Sequence, residues 1–218
     1  MVDTIAQAVS VELPGEKRVT LHHLTWPTYQ QILQALPASR AAHSTYDRGT
    51  LEITMPLEDH KYASELFGLF VRILVGELGW KLKSLRSTTL DRADLDRGAE
   101  PDNAYYIQNQ AKVAGRTVDL QQDPPPNLVI EVDIAHSDID KNRLYAAMGV
   151  PEFWRCNGQE WRIYQLQEAM YQECDRSPTF PWVEKAHLYD FLAQAQHDEI
   201  AAEKRFREFV RLQLQQPT

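Results

Sequence analysis

Cysteine is scarce: Cys156 and Cys174 are the two in 218 residues, and no metal-type spacing links them. Two thiols cannot build a disulfide framework, so both are expected reduced, in a cytoplasmic protein held together by its apolar core. Long apolar runs are missing too. No stretch approaches the roughly 20 residues that cross a bilayer, and no basic segment leads into an apolar one at the N-terminus. A surplus of positive charge is also lacking. With 23 Lys and Arg against 31 Asp and Glu, the net charge is −8. That weighs against a broad electrostatic grip on nucleic acid and leaves room for a local basic groove. Repeats and low-complexity tracts are absent. What remains is 43% hydrophobic and 25% charged, the make-up of a globular chain long enough for one domain with a proper core.

The most informative stretch is Asn127-Leu128-Val129-Ile130-Glu131-Val132-Asp133. It follows Asp-Pro-Pro-Pro, which cannot sit inside a sheet, so a strand begins after Pro126. Side chains of a strand alternate between faces, which sets Leu128, Ile130 and Val132 against Val129, Glu131 and Asp133. An apolar run of this kind reads as a central strand, yet it carries two carboxylates on one face. Like charges buried together require a proton or a cation between them. The bland alternative is a strand that ends near Glu131 and lets both acids reach water.

The flanking chain supplies the context. Residues 1–20 show no clear periodicity and are expected to be a loosely held lead-in. A helix is expected from Thr25 to Leu36, capped by Thr25 and started by Pro27. Ala41 to Thr54 reads as a hairpin turning at Asp47-Arg48-Gly49, with Leu51 and Ile53 on its apolar face and Thr50, Glu52 and Thr54 on its polar one. A long helix from Pro56 to Leu78 presents Tyr62, Leu66, Phe67, Phe70, Val71, Leu74, Val75 and Leu78 as one stripe. Glu58, Lys61, Glu65 and Arg72 lie on the opposite stripe. Trp80 to Leu90 is expected to be one strand; its Lys81, Lys83 and Arg86 form either a solvated face or a contact for a phosphate backbone.

Ala104 to Ile107 is a short strand opened by Pro101-Asp102, and a polar loop over Gln108 to Pro126 joins it to the central one. A helix from Ile139 to Met148, capped by Ser137 or Asp138, precedes a strand at Phe153 to Arg155. Asn157-Gly158 then signals a hairpin to Trp161–Leu166, with an edge strand at Met170 to Glu173. The remainder is helical, with apolar stripes broken near His197-Asp198, available to the domain itself or to a partner subunit. The expected division is a lead-in over 1–20, a domain over 21–185 and a helical C-terminal extension over 186–218.

Asp102 and Glu131 thus lie on neighbouring strands joined by a loop, where they can converge at one end of a sheet. Two such carboxylates suit a hard divalent cation, since Mg²⁺ takes oxygen ligands and keeps several waters. Such an ion polarises a phosphodiester and acidifies a bound water.

The run Glu100-Pro101-Asp102, then Pro126 to Val132, then Lys141, Tyr145 and Gly149-Val150-Pro151-Glu152-Phe153-Trp154 resembles the Uma2 family of nucleases. Tyr46-Asp47-Arg48-Gly49, Leu51-Glu52-Ile53, Met55-Pro56 and His60 extend the resemblance, which covers roughly residues 22–167. That family falls in the PD-(D/E)XK superfamily. The resemblance implies an α/β (α+β type) restriction endonuclease-like core, a mixed β-sheet flanked by helices. It implies Asp102 and Glu131 as catalytic metal ligands for Mg²⁺ or Mn²⁺, DNA as the substrate, and a homodimer formed through the hairpin or the terminal helix.

One departure stands out. Two residues past the Glu the superfamily motif has a lysine, and this chain has Asp133. Lys141 on the next helix is the candidate substitute, its flexible stem returning the ammonium to the acids; otherwise it is an ordinary exposed lysine. Asp133 is either a third metal ligand or turned away at the strand end. Glu65 reads as solvent-facing rather than an extra acid, His60 as a structural hydrogen-bonder, His136 as a loop residue, and Tyr145, Phe153 and Trp154 as packing. The competing functional expectation is a catalytically inactive nuclease fold serving as a binding or assembly module, suggested by Asp133, the acidic charge and the terminal helix.

Overall fold

The computed structural model describes residues 8–13, 16–37, 40–134, 136–157 and 160–215. β1 (Ala8–Leu13) pairs antiparallel with β2 (Glu16–Leu21). α1 (Trp26–Ala35) starts as its sequence requires: Thr25 Oγ1 accepts from Thr28 N, and Pro27 occupies the first turn. β3 (His43–Asp47) and β4 (Thr50–Pro56) form the expected hairpin. Between them Arg48 and Gly49 have φ of 43° and 96°, the paired positive values of a tight type I′ turn. β2 runs along β4 from Glu16↔Pro56 to Leu21↔Leu51. Of residues 1–20, expected to be a loose lead-in, 8–13 and 16–20 are therefore strand, and the others lie outside the described residues. Val9, Val11 and Leu13 alternate with Ser10 and Glu12, a period-two signal cut short by Pro14-Gly15.

α2 (Glu58–Glu77) is about 30 Å long at 1.5 Å per residue, and Gly79, at φ 67°, takes the left-handed conformation just past its end. The strand expected over Trp80–Leu90 divides into β5 (Lys83–Leu85) and β6 (Leu90–Arg92), which lie in different sheets. Ser87, at φ 47°, turns the chain between them. β7 (Arg97–Ala99), β8 (Asn103–Tyr106), the single turn α3 (Gln110–Val113) and β9 (Leu128–Val132) follow. α4 (Lys141–Ala147) is capped by Asp140, which accepts from Arg143 N, and not by Ser137 or Asp138. Then come β10 (Glu152–Cys156), β11 (Trp161–Gln167), β12 (Met170–Cys174), α5 (Lys185–Ala195) and α6 (Glu199–Gln215). The hairpin expected at Asn157-Gly158 joins β10 and β11, though Gly158 lies outside the described residues.

Two sheets result. One is antiparallel, in the order β1-β2-β4-β3-β7-β6; the other is mixed, β12-β11-β10-β9-β8-β5. Its only parallel pair among the described residues is β9 with β10, because α4 carries the chain back across the sheet between them. Leu128, Ile130 and Val132 join the core beneath α2, α5 and α6, while Val129 packs with Leu144, Tyr145 and Phe153 on the α4 side. β9 is thus covered on both faces. The terminal helices spend their apolar stripe inside the molecule: Phe206 and Val210 are buried, and the Phe206 ring stacks on Phe70 of α2 at 4.4 Å. No described helix is long and apolar enough to cross a membrane.

Candidate active site

The β8–β9 ladder sets Ala104 opposite Val129 and Asn103 opposite Ile130. One further step in that register brings Asp102 opposite Glu131, on the face covered by α4. Both are buried, each with 3% of its surface exposed. Facing acids at this spacing repel, and each survives through donors gathered from distant elements.

Asp102 accepts Val132 N at 2.8 Å through Oδ2, so its carboxylate extends the backbone ladder. Its Oδ1 accepts from His60 Nε2 at 2.8 Å and lies 3.3 Å from His43 Nδ1. Burial works against the charged form, but the two imidazoles and the more distant Lys141 prevail and hold this carboxyl below its usual range. Glu131 is balanced the other way. Its Oε2 accepts from Lys141 Nζ at 2.8 Å and its Oε1 from the Tyr145 hydroxyl. Burial pushes its carboxyl up to about 7; Lys141 pulls down, while Asp102 and Asp133 push further up. The Tyr145 phenol is driven well above its ordinary value by burial and by Glu131, so it remains a donor.

Asp133 lies one residue past β9 and keeps the ladder going through its N–H to Cys156 O at 2.7 Å. It does not turn away. Its Oδ1 accepts from Lys141 Nζ at 2.6 Å and its Oδ2 from Arg155 Nε at 2.9 Å. Lys141 is therefore no surface lysine: it is buried, and Asp133, Glu131 and Asp102 outweigh burial to keep it protonated. Three carboxylates thus face Lys141 and Arg155, with the imidazoles of His43 and His60 against Asp102.

Of the other residues singled out in the sequence, Glu65 is exposed and pairs with Arg86 at 2.5 Å, and the side chain of His136 is 82% exposed in its loop. His60 is buried in the first turn of α2 and makes the expected structural bond, though to a site carboxylate. Tyr145 is more than packing. Arg155, His43 and the Tyr145 hydroxyl were not legible as site residues; for Arg155 the usable signal is a lone cation in the apolar strand Phe153-Trp154-Arg155, opposite Glu131 in the parallel register. Glu52, expected on the polar face of the hairpin, is buried and accepts from Ser137 Oγ at 2.7 Å and Asp138 N at 2.6 Å. It ties the loop that follows Asp133 to the antiparallel sheet.

Asp102 and Glu131 present carboxylate oxygens, the donor type a hard divalent ion takes. A carboxylate has about four lone-pair sites; Asp102 uses three and Glu131 two. Among the described residues no three His, Cys, Asp or Glu side chains are arranged around one metal position. Asp133 is taken up by its two cations.

A family model described as "Uma2: Putative restriction endonuclease" matches residues 26–192. Among solved structures, the chain is similar to a crystal structure described as a putative nuclease belonging to DUF820 from Anabaena variabilis. The TM-score is 0.52 at 15% identity, over 77% of this chain and 98% of that one, a likeness that speaks for the fold alone. No curated protein matches.

Proposed function

The chain belongs to the Uma2 family of restriction endonuclease-like proteins, and from that premise we propose that it is a divalent-metal-dependent endonuclease hydrolysing the phosphodiester backbone of DNA. The observation that carries this reading is the pair of buried acids on neighbouring strands, with a buried lysine hydrogen-bonded to one of them. Asp102 and Glu131 would hold Mg²⁺ or Mn²⁺, whose chemistry when bound is to polarise a phosphodiester and acidify a water. Lys141 supplies a fixed positive charge beside them, suited to orienting the attacking water and to offsetting charge that develops on the phosphate. Tyr145, His43 and His60 fix the orientation of the two carboxylates, and Arg155 keeps Asp133 from competing for Lys141 with both oxygens. Plasmid DNA incubated with Mg²⁺ or Mn²⁺ tests this directly. Cleavage by the purified protein that is lost in Asp102→Ala and in Glu131→Ala supports it; cleavage surviving both substitutions ends it.

A second reading, a non-catalytic binding module, is favoured by one observation: both oxygens of Glu131 are already engaged, by Lys141 and Tyr145. Calorimetry separates the two. Mn²⁺ binding that disappears in Glu131→Ala counts against the module, and failure of the intact protein to bind either ion supports it.

A further inference from the structure

Asp102 has a second side. It lies at the floor of a cleft of about 340 Å³ between the N-terminal half of α2, the start of β3 and the loop after β5, lined also by Arg40, His43, Lys61, Arg86 and Ser87. In a chain of net charge −8, three Arg and Lys side chains converge here on a single opening, with Glu65 at its rim. Arg40 is tied to Glu100 at 2.5 Å. Lys61 is exposed and makes no ion pair among the described residues. Arg86 pairs with Glu65, but the two side chains are 51% and 61% exposed, and so exposed a pair is screened by solvent and adds little stability. An incoming anion can therefore replace Glu65 at little cost. Ser87 Oγ, 3.0 Å from His43 Nε2, adds a hydroxyl to the rim. Of the basic residues near β5, Lys83 is committed elsewhere, its ammonium capping Val113 O and Arg116 O.

We infer that this cleft seats one backbone phosphate of a DNA strand, gripped by Lys61 and Arg86 and delivered to the Asp102 side of the acid pair. The size fits. At about 30 Å³ per water the space holds on the order of ten waters, enough for a phosphodiester and its sugar but not for a duplex, so the strand crosses the opening. The direction of approach rests on the nuclease reading; the grip itself does not require cleavage.

The test is fluorescence anisotropy of the full-length protein with a short labelled DNA strand in EDTA, where neither cleavage nor metal bridging contributes. Lys61→Glu/Arg86→Glu should weaken binding by about tenfold or more and flatten the dependence of log K on log salt by about one phosphate contact. Lys204→Glu, which reverses an exposed charge on α6, should stay within about twofold of the parent. Lys61→Gln/Arg86→Gln, with matched melting curves, guards against a folding defect and should show a smaller loss in the same direction. Equal binding by the parent and both double variants overturns the inference, as does a parent that does not bind. Displacement of the strand by an equal concentration of a mononucleotide or inorganic phosphate overturns it in favour of a small-anion site, and tighter binding of the matching RNA overturns the choice of DNA. Loss of binding in the double variants supports the inference even if plasmid cleavage proves independent of Asp102 and Glu131.

Discussion

Replacing Lys141 by methionine keeps most of the side-chain volume and removes the ammonium that Glu131 and Asp133 share at 2.8 and 2.6 Å. Asp133 retains Arg155, whereas Glu131 retains only the Tyr145 hydroxyl. Stripping one partner from a buried ion pair costs about 3–5 kcal/mol, because the other charge is left stranded. Here the cost must depend on pH. The Glu131 carboxyl is raised from 4.5 to about 7, chiefly by burial, so the folded chain binds that proton more tightly than the unfolded one. Its contribution to stability is fully present below 4.5 and is lost as pH rises through about 7. Within that window the loss is about 1.4 kcal/mol per pH unit. Above it the intact protein levels off, since Glu131 is then ionised in both states. Without Lys141, whose charge holds the value down, the levelling moves to higher pH and the variant keeps losing about 1.4 kcal/mol per unit. Urea midpoints in EDTA from about pH 5 to about pH 9 give both curves. They should fall in parallel up to neutrality and then diverge. Curves that stay parallel above neutrality, or a variant as stable as its parent there, would refute Lys141 as the counter-charge of Glu131.

Tyr145→Phe deletes one donor to a buried carboxylate and nothing else, so it should cost about 1–3 kcal/mol in urea unfolding; an unchanged midpoint would mean that the hydroxyl is dispensable. Metal binding should carry the same proton. Because Glu131 must lose a proton held at about 7 before it can act as a ligand, Mn²⁺ affinity measured by calorimetry should weaken about tenfold per unit below neutrality. An affinity that is flat with pH in that range would exclude Glu131 as a ligand.

How far the sequence reaches is clear from single elements. The two faces of β9 were legible because a period of two is a property of the strand itself, and the α2 stripe was legible for the corresponding reason. The order of β8, loop and β9 sufficed to bring Asp102 near Glu131. Periodicity identifies a polar face without revealing whether something covers it. Glu52 and Glu152 show the difference. Both stand at polar positions of strands and both are 1% exposed. Segments without any repeating signal cover them: the loop at Ser137-Asp138 covers Glu52, and the stretch from Ser177 to Thr179 closes over Glu152, where Ser177 Oγ donates at 2.6 Å and Thr179 N at 2.9 Å. The imidazoles on Asp102 escaped for a related reason. His43 and His60 stand 59 and 42 residues before it, and nothing local to either marks it as a carboxylate's partner.

The departure at position 133 ties these threads together. A lysine two residues beyond Glu131 would place its ammonium on the same strand face, and an aspartate there changes the local charge by two units. One cation cannot restore that balance, and the fold supplies two. Lys141 comes from the first turn of α4 and Arg155 from the adjacent parallel strand, one to each oxygen of Asp133. Their neighbours Arg143 and Arg162, on the same helix and on the next strand, remain exposed, so burying a cation is not a general habit of these elements. Of the two cations that meet Asp133, Lys141 is buried and Arg155 is half-buried. Lys141 also reaches Glu131 at 2.8 Å, so the ammonium absent from the strand is present in space, carried on a helix and held in place by the same acid that replaced it in sequence.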